Sequence, residues 1–327
     1  MRNDVFEEKL RPAVAIELRR PFSVFVLVLA GAALVAGCSG LRLGYRQADV
    51  ILAWRANTYF DLDRDQRRDF SARLDRLLAW HRYEQLPEYA TFLTAAINKA
   101  EHGLKTQDIA WFVDGFRARY KIIVNRGVAD AAEVLSTLAP EQITVLQKQF
   151  AKDNKKFADE HELESGVEKR KRARLKKSIS QIEDWAGRLT REQEHKVAAL
   201  LEPIPLIEHL RYEDRMRRQR EFVELLKTRQ AKTAFAARLQ LWLLEWDRGR
   251  TPEYDQLSAE VYAKRLNFYV AVDKLLTREQ RTHALDRLQK FADDCRALST
   301  RAPAHGQADD AALAAILALI LSAADRA

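Results

Sequence analysis

Apolar residues return every third or fourth position along most of this chain. Leu175, Ile179, Ile182, Ala186 and Leu189 share one face of a helix, as do Phe235, Leu239, Trp242, Leu243 and Trp246. Tyr254, Leu257, Val261, Phe268, Val272 and Leu275 continue the same register, and no segment keeps the alternation of a half-buried strand. The pattern predicts an all-α fold of about ten helices. Pro87, Pro140, Pro203, Pro205 and Pro252 mark helix starts, while Gly103 and Gly249 mark stops. Loops of a few residues set neighbours antiparallel, giving an elongated or curved stack of antiparallel helical hairpins over residues 47–299. The polar stretch 160–168, with Gly166, predicts a hinge between two halves. Residues 300–310 read as a linker and 311–327 as an apolar C-terminal helix, of which Ala311 to Ala324 is nearly all Ala, Leu and Ile. Such a helix reaches only ~20 Å, too short to cross a bilayer, so it is expected to dock on the body or on a partner.

The N-terminus follows a different pattern. Arg19 and Arg20 precede the apolar stretch Phe22 to Val35, which Ala36 and Gly37 close before Cys38. A positive flank, an apolar run shorter than the ~20 residues of a spanning helix, and small residues at the end describe a cleaved signal peptide, residues 1–37. The competing reading is an uncleaved anchor. Val35-Ala36-Gly37-Cys38 resembles the lipobox of bacterial lipoproteins. That resemblance implies a lipidated Cys38 as mature N-terminus, a lipidated tether over 38–46, and firm attachment through several acyl chains. Ser39 in place of aspartate further implies the outer membrane, facing the periplasm.

This address changes how charge and cysteine are read. The net charge is +8 at pH 7, which ordinarily raises nucleic acid as a partner; an exported lipoprotein meets anionic lipid, lipopolysaccharide or acidic envelope proteins instead. Cys38 and Cys295 are the two cysteines. With Cys38 lipidated, Cys295 has no partner, and its place in the series Leu285, Leu288, Ala292, Cys295, Leu298 predicts a small core hydrophobe rather than a redox or metal group.

One local pattern recurs: Leu138-Ala139-Pro140-Glu141-Gln142, Leu189-Thr190-Arg191-Glu192-Gln193 and Leu276-Thr277-Arg278-Glu279-Gln280, with a looser copy at Leu62-Asp63-Arg64-Asp65-Gln66. Thr190 and Thr277 with Gln three residues on predict capping boxes; Asp63 caps equally well, and Ala139 leaves Pro140 to start its helix. The pattern is similar to the LTxxQ signature of the Spy/CpxP group of periplasmic proteins, which implies an ATP-independent chaperone; plain capping explains it as well. A second series runs from Arg42-Leu43-Gly44-Tyr45-Arg46-Gln47-Ala48-Asp49 through Trp54, Ala79-Trp80-His81-Arg82 and Gln85-Leu86-Pro87 to Tyr89, with Lys152-Asp153-Asn154 downstream. It resembles a family of uncharacterised proteobacterial envelope lipoproteins from Cys38 to about Leu298. That resemblance implies location and helical content but no activity, and it makes Tyr45, Trp80 and His81 candidate surface residues.

Motifs of known chemistry are missing. Asp61-Leu62-Asp63-Arg64-Asp65 opens like a calcium loop, but Gln66 and Ala72 replace the required glycine and glutamate. The seven histidines, His81, His102, His161, His195, His209, His283 and His305, form no metalloprotease motif, and no nucleophile elbow or phosphate loop is present. No enzyme activity, cofactor or metal is expected, with a His81-dependent envelope hydrolase as the minor alternative. The strongest contact candidates are two basic runs: Lys169, Arg170, Lys171, Arg172, Arg174, Lys176 and Lys177, then Arg211, Arg215, Arg217, Arg218 and Arg220. Either they form solvated faces whose stems cover apolar surface, or they meet an anionic partner. A non-catalytic, lipid-anchored binding or scaffold protein follows as the leading expectation.

Overall fold

The computed structural model describes residues 40–300, all of whose regular elements are helices. Cys38, the leader and the apolar tail lie outside the described residues. Among those described, the α-helices are α1 (Gly40–Arg46), α2 (Ala48–Phe60), α3 (Arg64–Trp80), α4 (Leu86–Ala100), α5 (Thr106–Ser136), α6 (Pro140–Glu160), α7 (Val167–Ala186), α8 (Arg191–Leu201), α9 (Glu208–Lys227), α10 (Lys232–Leu244), α11 (Pro252–Leu275) and α12 (Arg278–Thr300). The all-α expectation holds. Residues 40–46, expected as a tether, form α1, whose Leu41 and Tyr45 pack against the α4–α12 core.

Pro87 does not break its helix. A single π-helical turn, His81–Gln85, joins α3 to α4, and the Leu86 amide donates to the His81 carbonyl five residues back. Proline has no N–H to give, and widening the turn is one way a helix passes such a residue.

Three apolar clusters hold the body. The largest joins α2, α3, α5, α6, α9 and α10 around Phe60, Phe70, Leu74, Leu135, Leu146, Phe222 and Leu243. A second joins α7, α8 and α11 around Val197, Phe268 and Val272. The third joins α4 and α12 around Leu86, Leu93, Ala292 and Cys295. The closest helix pairs, α4 with α12 and α5 with α10, are distant in sequence.

The recurrent caps form two joints. At the first, Asp63 accepts from the amides of Asp65 and Gln66 at 2.8 and 2.9 Å, and the Asp63 amide donates to Gln66 Oε1 at 3.0 Å. Ala139 has no acceptor, but its amide donates to Gln142 Oε1 at 2.8 Å. The two glutamines then meet: Gln66 Nε2 donates to Gln142 Oε1 at 3.1 Å, and Gln142 Nε2 donates back to Gln66 Oε1 at 2.7 Å. Their remaining hydrogens go to the helix ends opposite, from Gln66 to the Thr137 carbonyl at 2.9 Å and from Gln142 to those of Phe60 and Asp61 at 3.0 Å. Asp61 sits in the left-handed conformation, φ 45°, that ends α2.

The second joint repeats the first. Thr190 and Thr277 each cap their helix and receive the reciprocal glutamine contact. Gln193 Nε2 donates to Gln280 Oε1 at 2.7 Å and Gln280 Nε2 to Gln193 Oε1 at 3.2 Å. The free hydrogens reach the carbonyls of Leu275 and Arg188 at 2.8 and 2.9 Å. Each joint thus locks one helix–turn–helix against another.

Truncating either glutamine of a pair strands the other's donor and acceptor, at about 1–3 kcal/mol. Gln66→Ala and Gln142→Ala should each destabilise by at least that, and the double variant by less than the sum, with a coupling on the order of 1 kcal/mol in urea unfolding. Additive losses would show that the pair acts only as two separate caps.

Candidate functional site

The π-turn assembles the first cluster. Tyr45 on α1 lies over His81, its hydroxyl 3.1 Å from His81 Nδ1 and the ring centroids 6.0 Å apart. Trp80 and Tyr89 meet the His81 ring edge-on at 6.4 and 5.3 Å. Arg82, Arg119 and Arg126 lie over the rings of Tyr45, Tyr89 and Trp80. The structure therefore brings Tyr45, Trp80 and His81 together, but as a half-buried nest facing α4 and α12 rather than as an open surface.

Its electrostatics favour neutral groups. Burial pushes His81 from 6.5 down to about 4. Burial also raises the Tyr45 phenol, against the opposing Arg82 charge, and lifts Tyr89 to about 12. At neutral pH a neutral phenol thus meets a neutral imidazole, and the hydroxyl can donate to Nδ1. Cys295, buried on α12, has its thiol raised to about 11 by burial and by the Asp294 charge. A thiolate nucleophile needs the opposite shift, so Cys295 reads as core packing.

The second basic run is partly internal: Arg215 and Arg218 are buried, Arg211 and Arg217 half-buried, and Arg220 exposed. Arg218 is 1% exposed, lies 4.4 Å over Trp242, and donates to the carbonyls of Trp242 and Trp246 at 2.8 and 3.1 Å, at the C-terminal end of α10. Burial lowers its guanidinium to about 10, still charged at neutral pH. Arg215 is likewise buried and donates to Asn154 Oδ1 at 2.6 Å. Arg217 binds Asp214 and Glu221, both at 2.6 Å. Arg215 and Arg218 are therefore corrected from anionic-contact candidates to interior links, because their charge satisfies buried acceptors.

The first run divides. Arg174 donates to the carbonyls of Leu201, Ile204 and Pro205 at 2.9, 2.7 and 3.3 Å, closing the end of α8. Lys169 pairs with Glu162 at 2.8 Å, and Lys171 pairs with Glu202. Arg172, Lys176 and Lys177 are exposed along α7, and Arg170 is partly so.

A third feature escaped the sequence. A cavity of about 630 Å³ opens among α4, α5, α7, α8, α11 and α12. Ile109, Phe112, Ile182, Phe268, Val272 and Leu288 give it apolar walls, and Trp185 and Tyr269, 41% and 42% exposed, stand on it. Lys99 reaches Asp108 at 3.6 Å and lies over Trp111. Arg281 donates to the Asp273 carbonyl at 2.9 Å, and Asp273 Oδ2 accepts from the Leu104 amide at 3.0 Å, tying three elements at one wall. Arg265 is exposed on the α11 wall, and its charge adds to the burial that lowers Arg174 and Arg211. The site is chemically an apolar trough whose edge carries the exposed Arg265 beside two ion pairs, Lys99 with Asp108 and Arg281 with Asp273. No single periodic stripe encodes it, since its residues come from six helices.

Among the described residues no three His, Cys, Asp or Glu side chains gather as a metal ion would need, and no helix is long and apolar enough to cross a membrane. A family profile described as a family of unknown function, DUF6279, matches residues 58–255, more than half of the chain. That span holds Trp80, His81 and Tyr89 but not Tyr45, and is shorter than the 38–298 the sequence resemblance implied. No curated protein and no solved structure matches the chain.

The depressed His81 pKa gives a signed prediction. Above pH 6.5 folded and unfolded chains both hold the ring neutral, and its contribution is fully present. Below 6.5 the unfolded chain takes up a proton that the folded chain refuses until about pH 4, so stability falls across that window. Between pH 8 and 5.5 the wild type should lose roughly 1.4 kcal/mol more than His81→Gln in urea unfolding. Parallel curves for the two proteins would remove the buried-neutral histidine.

Proposed function

The chain belongs to the DUF6279 family, whose function is unknown, and from that starting point we propose that it is a non-catalytic, lipid-anchored envelope protein that binds another envelope component. The apolar trough carries this reading. Ligand sites are concave, mostly apolar and lined by aromatics, with few polar groups at the edge, and the trough fits that description. The proposed anchor is Cys38, and the proposed address is the outer membrane, facing the periplasm.

Two further features support the anchor. Ser39 alone separates Cys38 in sequence from the first described helix. Val50, Ile51 and Trp54 on α2 are 60%, 48% and 67% exposed, an apolar ridge close to the anchoring residue in sequence. Trp, Ile and Val at that position suit the boundary between head groups and acyl chains.

A second reading is an ATP-independent chaperone of the LTxxQ type, favoured by the two glutamine-paired joints. The trough would then take apolar stretches of unfolded clients, with exposed Lys176, Lys177 and Arg172 attracting acidic ones in a salt-sensitive way.

Metabolic labelling with an alkyne fatty acid should mark the wild type and leave Cys38→Ser unlabelled; an unlabelled wild type would remove the anchor. A photocrosslinker replacing Trp185 in the cell separates the binding readings. A few discrete envelope products would support the first, and many heterogeneous ones the chaperone. Products no different from those of a crosslinker at Trp54 would sink both.

A further inference from the structure

We propose that the trough holds a fatty acid, with its acyl chain along the apolar walls and its carboxylate at Arg265. The inference rests on the trough being the binding site and names what fills it.

The charges on the walls come first. Lys99 is taken by Asp108 at 3.6 Å and Arg281 by Asp273 at 3.4 Å. Asp273 also accepts from the Leu104 amide at 3.0 Å. Ser178 and Gln181 are uncharged. Arg265 is different: it is exposed on the wall, and among the described residues no carboxylate pairs with it. The groups its charge acts on, Arg174 and Arg211, are themselves cations, with Glu208 of α9 acting on both. A single unpaired guanidinium suits a monoanion, and its fork fits a carboxylate bidentately.

Direction comes second. The charge of Arg265 reaches Arg174, in the first half of α7, and the turns that follow α7 and α11 are joined by Gln193 and Gln280. The two helices therefore run the same way along the trough. Arg265 marks one end of it and the Asp273–Arg281 pair the other. Phe268, Tyr269 and Val272 lie between them on α11, with Ile182 and Trp185 on the α7 wall. From Arg265 to the end of α11 at Leu275 is ~15 Å of helix axis. An occupant charged at one end and apolar along its length matches this layout.

Girth comes third. Two turns of α-helix, ~10 Å across and ~11 Å long, would fill roughly 850 Å³, more than the 630 Å³ present. An extended peptide is thinner, but its N–H and C=O groups need partners, and the acidic and most basic groups on the walls are already paired. A chain of methylenes has neither the girth nor the polar groups. Each methylene that leaves water for the trough tightens binding about fourfold.

The test uses the full-length protein in its own membrane and two diazirine probes with the same dodecyl chain, one a carboxylate and the other a primary ammonium. Irradiation should attach the carboxylate probe to wall residues such as Ile182 and Phe268 about tenfold more than the ammonium probe, as a charged hydrogen bond to the head would give. Arg265→Glu should reverse that preference; Arg265 is exposed and unpaired, so the fold tolerates the change. Equal attachment of the two probes, or a preference unmoved by Arg265→Glu, would overturn the inference while leaving the trough a binding site. No attachment of either probe, beside discrete protein products from the crosslinker at Trp185, would overturn it in favour of a polypeptide occupant. Neither kind of product in the trough would remove the inference and the binding reading together.

Discussion

The fold depends on how its helix ends are satisfied. Every α-helix leaves four N–H groups and four carbonyls without intrahelical partners, and a body built of many helices must settle this many times over. Here side-chain caps answer N-terminal amides of α3, α8, α11 and α12, and guanidinium groups from elsewhere in the chain answer several C-terminal carbonyls. Arg229 donates to Leu138 O at 2.9 and 2.6 Å and to Leu226 O at 2.8 Å, closing α5 and α9 together. Arg174 does the same for α8 and Arg218 for α10. A charged donor to a carbonyl contributes about 1.5–3 kcal/mol, more than a neutral one, and it suits the negative end of the helix dipole. Part of what composition presents as surface basicity, Arg215, Arg218 and Arg229 above all, is therefore spent in the interior.

This explains which parts of the molecule were legible beforehand. Helical spacing and capping residues are local, so the all-α class, the caps at Asp63, Thr190 and Thr277, and the packing of Cys295 could be read along the chain. The pairing of Gln66 with Gln142 and of Gln193 with Gln280 could not, because a cap looks the same whether or not its amide has hydrogens to spare for another hairpin. Arg218 and Arg172 are equally indistinguishable in sequence, yet one is enclosed by α10 and the other exposed on α7. Tyr45, Trp80 and His81 lie together, but their partial burial is not visible in sequence, since it comes from the large cluster and from α12, both far along the chain. Trp54 went the other way, its place in the same motif series giving no sign that its face would be left open.

The two glutamine joints also account for where the trough lies. One fixes the α2–α3 turn to the α5–α6 turn, the other the α7–α8 turn to the α11–α12 turn. Each set is thereby held from its own turns, and the sets are brought together chiefly by α12 against α4. Helices held at their ends by such bonds are not free to slide until every side chain interdigitates. Where α4 and α5 meet α7, α11 and α12 the walls stay apart, and Trp185 and Tyr269 keep much of their surface uncovered.

That uncovered surface is costly, since each Å² of apolar area left in water forgoes about 25 cal/mol, and monomeric proteins seldom retain large apolar patches without a use. Closing the trough by collapse would require α11 and α12 to move toward α5, which would pull Asp273 from the Leu104 amide and disturb the contact of Gln193 with the Leu275 carbonyl. Both are partly buried polar contacts whose loss strands their partners. The helix-end network therefore holds the trough open against the hydrophobic effect, and the remaining way to remove its surface from water is to fill it with an apolar occupant.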